Sequence, residues 1–491
     1  MHKLLETVIS QNLPTVSKLP GRNLQMPGDP RYQPEALKPF LGYDMWASFL
    51  IIVEWFWLMT LAEIGFMPRK ETAGLTRERL LNLLENISTT VQDAREYGRD
   101  GRAGTNHDIL ALLELMKRYL PKALHKYLHL GATSYNIINT AYALILAQVF
   151  QRVFKPKLLV VDQVWRDKIS QYAEVVQAGR THLQTALPVT VGFWLACLHY
   201  QFRNCVQNAY FLSMIVPGSF NGAVGTSAAL LAMLGRDKAI MAQETLMKYL
   251  DLERAEYTTQ ISPPQNAARF YFELLLLSGV LGNLGEDVRI LQSSEFGEIV
   301  SATEVNSSSS TMAHKKANPI KAENNCGMHV NVIAEVMKVA LTLTSDLQRD
   351  LRWSCVMRSF SSAMVYAYQQ ISTTERLIKS LAVDPRRVKT NFRREAKLVV
   401  AELLHLCLQR QGYAGTHELV NKTIVPAAAA KGISLPLAMR YHLQSHPDKK
   451  LEQAWRLTPA SSLELLKRPE KYIGRAIELA KAEAKNKLEM E

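Results

Sequence analysis

Residues 266–293 read NAARFYFELLLLSGVLGNLGEDVRILQS, and within them Phe270, Leu274, Leu277, Leu281, Leu284, Val288 and Leu291 recur three or four positions apart. That interval is the period of an α-helix with one apolar face. Residues 141–173, 187–216 and 321–343 carry the same pattern, whereas β-branched alternating runs bounded by turn residues are scarce. The fold class expected is all-α, a central bundle of long helices.

The remaining sequence sets the frame around that bundle. At 491 residues the chain exceeds one compact core, and the ordinary domain size of about 150 residues suggests three domains. Breaks rich in Gly, Pro and Asn place them at 1–111, 112–367 and 368–491. Hydrophobic residues at 47% and charged residues at 21% are a globular balance, which excludes a disordered or fibrous chain. A net charge of +13 favours an anionic partner. The basic residues are scattered, without zinc-finger spacing or an aromatic RNA-binding signature, so a small anionic substrate is expected and no nucleic acid. Five cysteines without a CxxC pair suit a reducing compartment, and no secretory leader is evident, so a cytoplasmic protein is expected. Residues 45–62 are apolar enough to suggest a membrane span, but Glu54 sits near their middle. An intramembrane carboxylate is costly and no second span of this quality follows, so a buried core helix is expected and no membrane.

Chemistry first shows at residues 308–319, SSSTMAHKKANP. This segment resembles the fumarase/aspartase superfamily, whose members carry a loop of the pattern G-S-S-x-M-P-x-K-x-N-P. The resemblance implies that Ser309 is the base and that Lys315 and Asn318 hold the substrate carboxylate. Removing a proton beside a carboxylate adds negative charge, which an ammonium and amide donors stabilise. A serine hydroxyl needs that stabilisation to serve as an alkoxide. Two more signature regions have counterparts, at 131–140 and 179–188. In the first, Thr133 and Ser134 would bind a substrate carboxylate, although Thr-Ser is also a natural helix N-cap. In the second, Thr181 would touch substrate and His182 would be the general acid, imidazole being the side chain best matched to neutral pH.

Several further stretches resemble the adenylosuccinate lyase family within that superfamily. Asp29-Pro30-Arg31-Tyr32 is similar to its N-terminal Asp-Gly-Arg-Tyr, which implies that Arg31 and Tyr32 contact a nucleotide phosphate. Thr105-Asn106-His107-Asp108 is similar to its Thr-x-His-Asp, which implies that His107 assists the acid and that Asp108 lies at the substrate. Residues 218–226, GSFNGAVGT, match its glycine-rich loop, and Gln260 its substrate-binding glutamine. Gln348-Arg349-Asp350-Leu351 with Ser354 and Arg358 matches its Q-R-D-L-x-x-S-x-x-x-R, a set suited to phosphate. On one ideal helix the two arginines would point about 180° apart, so a break near Arg352 is needed. Residues 470–476, EKYIGRA, resemble the C-terminal motif. The family implies a homotetramer with sites shared among three subunits, and no metal or organic cofactor; no metal-ligand spacing is present either.

Three departures stand out. Met312 to Pro319 holds one residue more than the pattern, with Ala313 in place of proline, so Lys315 or Lys316 is the functional lysine. Ser308 replaces the glycine before the base. Asn136 replaces an aspartate after the Thr-Ser pair. An adenylosuccinate lyase, a superfamily lyase for another succinyl-amine or dicarboxylate, and an inactive relative all remain open at this point.

Overall fold

The computed structural model describes residue 24 and residues 29–42, 44–87, 91–96, 103–301, 318–349 and 352–490. The segment bearing Ser309, Lys315 and Lys316 lies outside them. The architecture is all-α. Its principal helices are α1 (Met45–Glu63), α2 (Asp108–Tyr119), α3 (Ser134–Gln171), α4 (Val191–Met214), α5 (Pro264–Gln292), α6 (Ile320–Leu341), α7 (Phe360–Ser380), α8 (Pro385–Glu395) and α9 (Ala476–Glu483).

Helices α3 to α7 form the bundle. The periodic face of α5 is what drives it together: Phe270, Leu274, Leu277, Leu281, Leu284 and Val288 are all buried. Each contributes about 1.5–3 kcal/mol on leaving water. A polar layer crosses the bundle where Ser278 Oγ donates to Gln370 Oε1 at 2.6 Å and Asn325 Nδ2 donates to Thr374 Oγ1 at 2.9 Å. Such satisfied buried groups fix the register of the packed helices.

One expected helix holds across a proline, and another needs correction. The run at 141–173 contains Pro156, which cannot donate to the preceding turn. A π-helical turn at Phe150–Phe154 takes up the mismatch, so the helix continues from Ser134 to Gln171. The run at 187–216 begins as strand: β2 (Gln184–Thr190) pairs antiparallel with β1 (Val176–Thr181), and α4 starts only at Val191, where Thr190 Oγ1 accepts from Phe193 N–H at 3.1 Å. A second small sheet pairs β3 (Ile299–Ser301) with β4 (Leu381–Val383).

Helix α1 is buried almost throughout, and so is the first half of α3; the most apolar stretches of both are covered by protein. The helices between Val400 and Lys467 build a separate apolar cluster around Leu404, Leu408, Ile424, Leu435, Met439 and Leu466. The expected boundaries near 112 and 368 fall inside the continuous helices α2 and α7. Domains part at exposed breaks rather than inside helices, so we propose that the joints are the segment before α2 and the strand β4 after α7.

Candidate active site

Helix α2 and the start of α3 bring one cluster together. His107 is the N-cap of α2, its Nδ1 accepting from Leu110 N–H at 3.3 Å, and its Nε2 lies 3.2 Å from Ser134 Oγ. Thr133 caps α3, and Asn136 Oδ1 closes a capping box by accepting from Thr133 N–H at 2.9 Å. Asn136 is buried, so the neutral amide keeps the cap without placing a charge in the core.

Next to His107, Asp108 is turned inward. Its Oδ2 accepts from Arg358 Nη2 at 2.6 Å, and Arg95 Nε lies 3.6 Å from Oδ1. Asp108 therefore holds an arginine instead of presenting a free carboxylate to substrate. The Arg358 guanidinium also lies over the Trp46 ring, 5.5 Å from its centroid. Burial alone would push the Arg358 guanidinium down, but the hydrogen bond and charge of Asp108 keep it above its ordinary value. Ser354 joins the same cluster by a hydrogen bond to Tyr135, whose phenol burial pushes up.

A second group forms where Gln260 N–H donates to Gln348 O at 3.3 Å and Arg349 Nη2 donates to Thr342 O at 3.1 Å. The break required between the arginines exists: α6 ends at Leu341, Arg349 has φ +88°, and a short helix runs Arg352–Met357. An open cavity of about 500 Å³ borders this group, lined by Tyr257, Thr259, Ser262, Leu343 and Arg349 among others. In the glycine-rich loop a Cβ at Gly225, with φ +84°, would collide with the Thr258 carbonyl, so this backbone approaches its own chain.

His182 stands apart. With Leu183 it forms the two-residue turn between β1 and β2, at φ +53° and +59°. Both values are positive, as a type I′ hairpin turn demands. Each costs a non-glycine residue about 1–2 kcal/mol. The side chains of Thr181 and His182 are exposed, and that of His182 has no partner among the described residues. What fixes the hairpin is Glu298, fully buried, which takes Arg180 Nη2 at 2.5 Å and Nη1 at 3.2 Å, Gln177 Nε2 at 2.8 Å and Asn391 Nδ2 at 2.8 Å. Glu298 precedes β3, which leads in sequence to the serine-rich segment; Asn318, exposed, lies just before α6. Arg31 is a surface residue paired with Asp29 at 3.1 Å, and the Tyr32 ring meets Tyr366 edge-on at 6.1 Å.

One chain thus gathers His107, Asp108, Thr133, Ser134, Ser354 and Arg358, and separately Gln260 with Arg349. His182, Arg31 and Asn318 share no hydrogen bond or ion pair with either group among the described residues. Arg95 and Glu298 are partners that the motifs did not single out, because neither lies within a matched pattern.

Comparison with known proteins fits this arrangement. A family described as "Lyase" matches residues 90–334. The chain is 29% identical over 458 residues to an adenylosuccinate lyase of Pyrococcus abyssi, covering 92% of this chain and 96% of that one. It is 26% identical to one of Legionella pneumophila, over 94% and 99%. The chain belongs to the fumarase/aspartase superfamily of lyases. This lyase shares its fold with the fumarate lyase of Mesorhizobium sp. BNC1, at TM-score 0.71 and 22% identity over 90% of this chain and 95% of that one. The 3-carboxy-cis,cis-muconate lactonizing enzyme of Pseudomonas putida superposes with TM-score 0.73 at 21% identity, over 92% and 97%. By family it is an enzyme, a carbon–nitrogen lyase.

Proposed function

We propose that this lyase splits adenylosuccinate into fumarate and AMP, and releases fumarate likewise from the succinyl-carboxamide ribotide of purine biosynthesis. The observation that carries this reading is the His107–Ser134 contact set beside the Asp108–Arg358 pair, in a chain similar to adenylosuccinate lyases from end to end. A carboxylate-binding serine, an imidazole and a phosphate-suited arginine then lie side by side.

In this mechanism Ser309 takes the proton from the succinyl carbon next to the carboxylate. Lys315, or Lys316 in the altered loop, and Asn318 stabilise the carbanion. The electron pair then forms the fumarate double bond, the carbon–nitrogen bond breaks, and His182, assisted by His107, protonates the departing nitrogen. Thr133, Ser134, Thr181 and Gln260 bind the succinyl part, and Arg31, Tyr32, Arg349, Ser354 and Arg358 the phosphate end. Every charge change is met by side chains, so the reading calls for no metal or organic cofactor.

The separation of His182 from the His107 cluster supports a homotetramer in which three subunits complete each site. The outer faces of α5 and α6 supply an apolar surface for it, with Leu276, Val330, Met337 and Leu341 exposed. A cytoplasmic enzyme fits the reduced cysteines. A second reading, a lyase for another succinyl-amine, is favoured by the longer Met312-to-Pro319 segment. Incubation with adenylosuccinate, argininosuccinate, malate and aspartate separately, following fumarate by chromatography, distinguishes them. Adenylosuccinate turnover alone supports the proposal, and turnover of argininosuccinate in its place overturns it.

A further inference from the structure

Glu54 is a carboxylate with no exposed surface, on a helix whose neighbours are Val53, Trp55, Phe56 and Trp57. The proposed chemistry gives it no task. Burying such a group costs several kcal/mol unless both oxygens are satisfied. Both are: Oε1 lies 2.6 Å from His129 Nδ1, and Oε2 accepts from His129 N–H at 3.2 Å. One turn further along α1, Trp57 Nε1 donates to Leu130 O at 3.1 Å.

The segment so gripped is strained. His129 has φ +57° and Gly131 φ +69°, where a Cβ would strike Leu230. A histidine in that region is disfavoured by about 1–2 kcal/mol. Such a conformation persists only where the surroundings over-determine it. Two residues beyond Gly131 the chain reaches Thr133, the cap of α3, and then Ser134, whose hydroxyl meets His107.

We propose that Glu54 and Trp57 are positioning residues, which hold the 129–132 segment in its left-handed path so that Thr133 and Ser134 face the substrate carboxylate. The inference rests on the reading that this pair binds a carboxylate.

The test compares Glu54→Leu and Glu54→Gln in the full-length protein. Leucine fills the space and bonds nothing. Glutamine keeps both contacts, its oxygen accepting from His129 N–H and its amide donating to Nδ1 of the other imidazole tautomer. Fumarate is the probe, its affinity read by titration calorimetry, with kcat and KM measured on adenylosuccinate. Glu54→Leu is expected to weaken fumarate binding about tenfold, as for one or two lost hydrogen bonds. KM should rise in step while kcat changes by less than about threefold, the signature of lost uniform binding. Glu54→Gln is expected within about threefold of wild type, because its hydrogen bonds survive. If Glu54→Leu does not fold, Trp57→Phe, which deletes only the indole N–H, carries the comparison with an expected loss of severalfold. Wild-type fumarate affinity in Glu54→Leu, an equal loss in Glu54→Gln, or no fumarate binding by the wild type overturns the proposal. Fumarate binding without adenylosuccinate turnover removes the nucleotide reading and leaves this comparison intact.

Discussion

His107 Nε2 lies 3.2 Å from Ser134 Oγ while His107 Nδ1 accepts the Leu110 N–H at 3.3 Å. Because Nδ1 faces a backbone donor, its lone pair is used there, so the neutral ring carries its proton on Nε2 and donates to Ser134. The cap of α2 therefore selects the tautomer. His107→Ala is expected to lower kcat/KM by about 10²–10⁴-fold, as for loss of a group taking part in proton transfer. Ser134→Ala is expected to raise KM by about tenfold, and the double variant to fall short of the combined loss because one contact is shared. Steady-state kinetics on the four proteins checks this, and simple additivity contradicts it.

Asp108 gives Arg358 its direction through the 2.6 Å bond. Asp108→Asn is expected to weaken AMP binding by about tenfold, through loss of a charge-assisted hydrogen bond at the arginine proposed to meet the phosphate. Fumarate binding, proposed to use Thr133 and Ser134 rather than Arg358, should stay unchanged. Calorimetric titration with each product separates the two ends, and an equal loss for both contradicts this assignment.

Glu298 carries the only charge paired with Arg180 among the described residues, and both side chains are nearly or fully buried. Glu298→Gln leaves the guanidinium without its counter-ion, which is expected to cost about 3–5 kcal/mol. The denaturation midpoint should fall, and the turnover that depends on His182 should fall with it. A loss below about 1 kcal/mol, the range of a surface pair, contradicts the anchoring role.

The bundle was legible because α5 and α6 bury one face each, and a single apolar face writes its period directly into the sequence. Where packing contradicts local pattern, the reading slipped: 187–190 looks helical in its apolar content, yet it pairs with β1. Residues 141–173 stay helical across Pro156 because a π turn at Phe150–Phe154 absorbs it. Within the site, His107, Asp108, Ser134 and Arg358 stand out from short patterns, but the meeting of His107 with Ser134 across 27 positions and of Asp108 with Arg358 across 250 shows only in the fold. Glu54 was noticed as a charge out of place, but its partner His129 lies 75 positions away and nothing local announces it. Asp108 stands out through the Thr-x-His-Asp resemblance, and its pairing with Arg358 shows only in the fold.

His199 offers a pH test of the C-terminal helix. Its ring is buried between Glu483 Oε1 at 2.8 Å and Asp162 Oδ1 at 3.1 Å, so both nitrogens face carboxylates and α9 is tied to the bundle. Burial would push the imidazole down, but the hydrogen bonds and charges of Asp162 and Glu483 hold it above its ordinary 6.5. A raised folded value means that this stabilisation is complete below 6.5 and is lost as pH rises through the folded value. Asp162 and Glu483, held below their ordinary 3.8 and 4.5 against the opposing effect of burial, lose theirs only in acid. The Tm is therefore expected to decline as pH rises above 6.5 through the folded value, and His199→Gln to flatten that decline. Calorimetric scans across the pH range check it, and an unchanged slope in the variant contradicts it.

Release of fumarate from adenylosuccinate, with Ser309 as the proposed base, is open to direct test. The most direct measurement is single-time-course quantitation of fumarate and AMP from purified wild type and Ser309→Ala. Equal amounts of both products from wild type, with the rate lowered by about 10²–10⁴-fold in the variant, are predicted from the loss of the general base. No fumarate from wild type, or an undiminished rate in Ser309→Ala, would contradict the account.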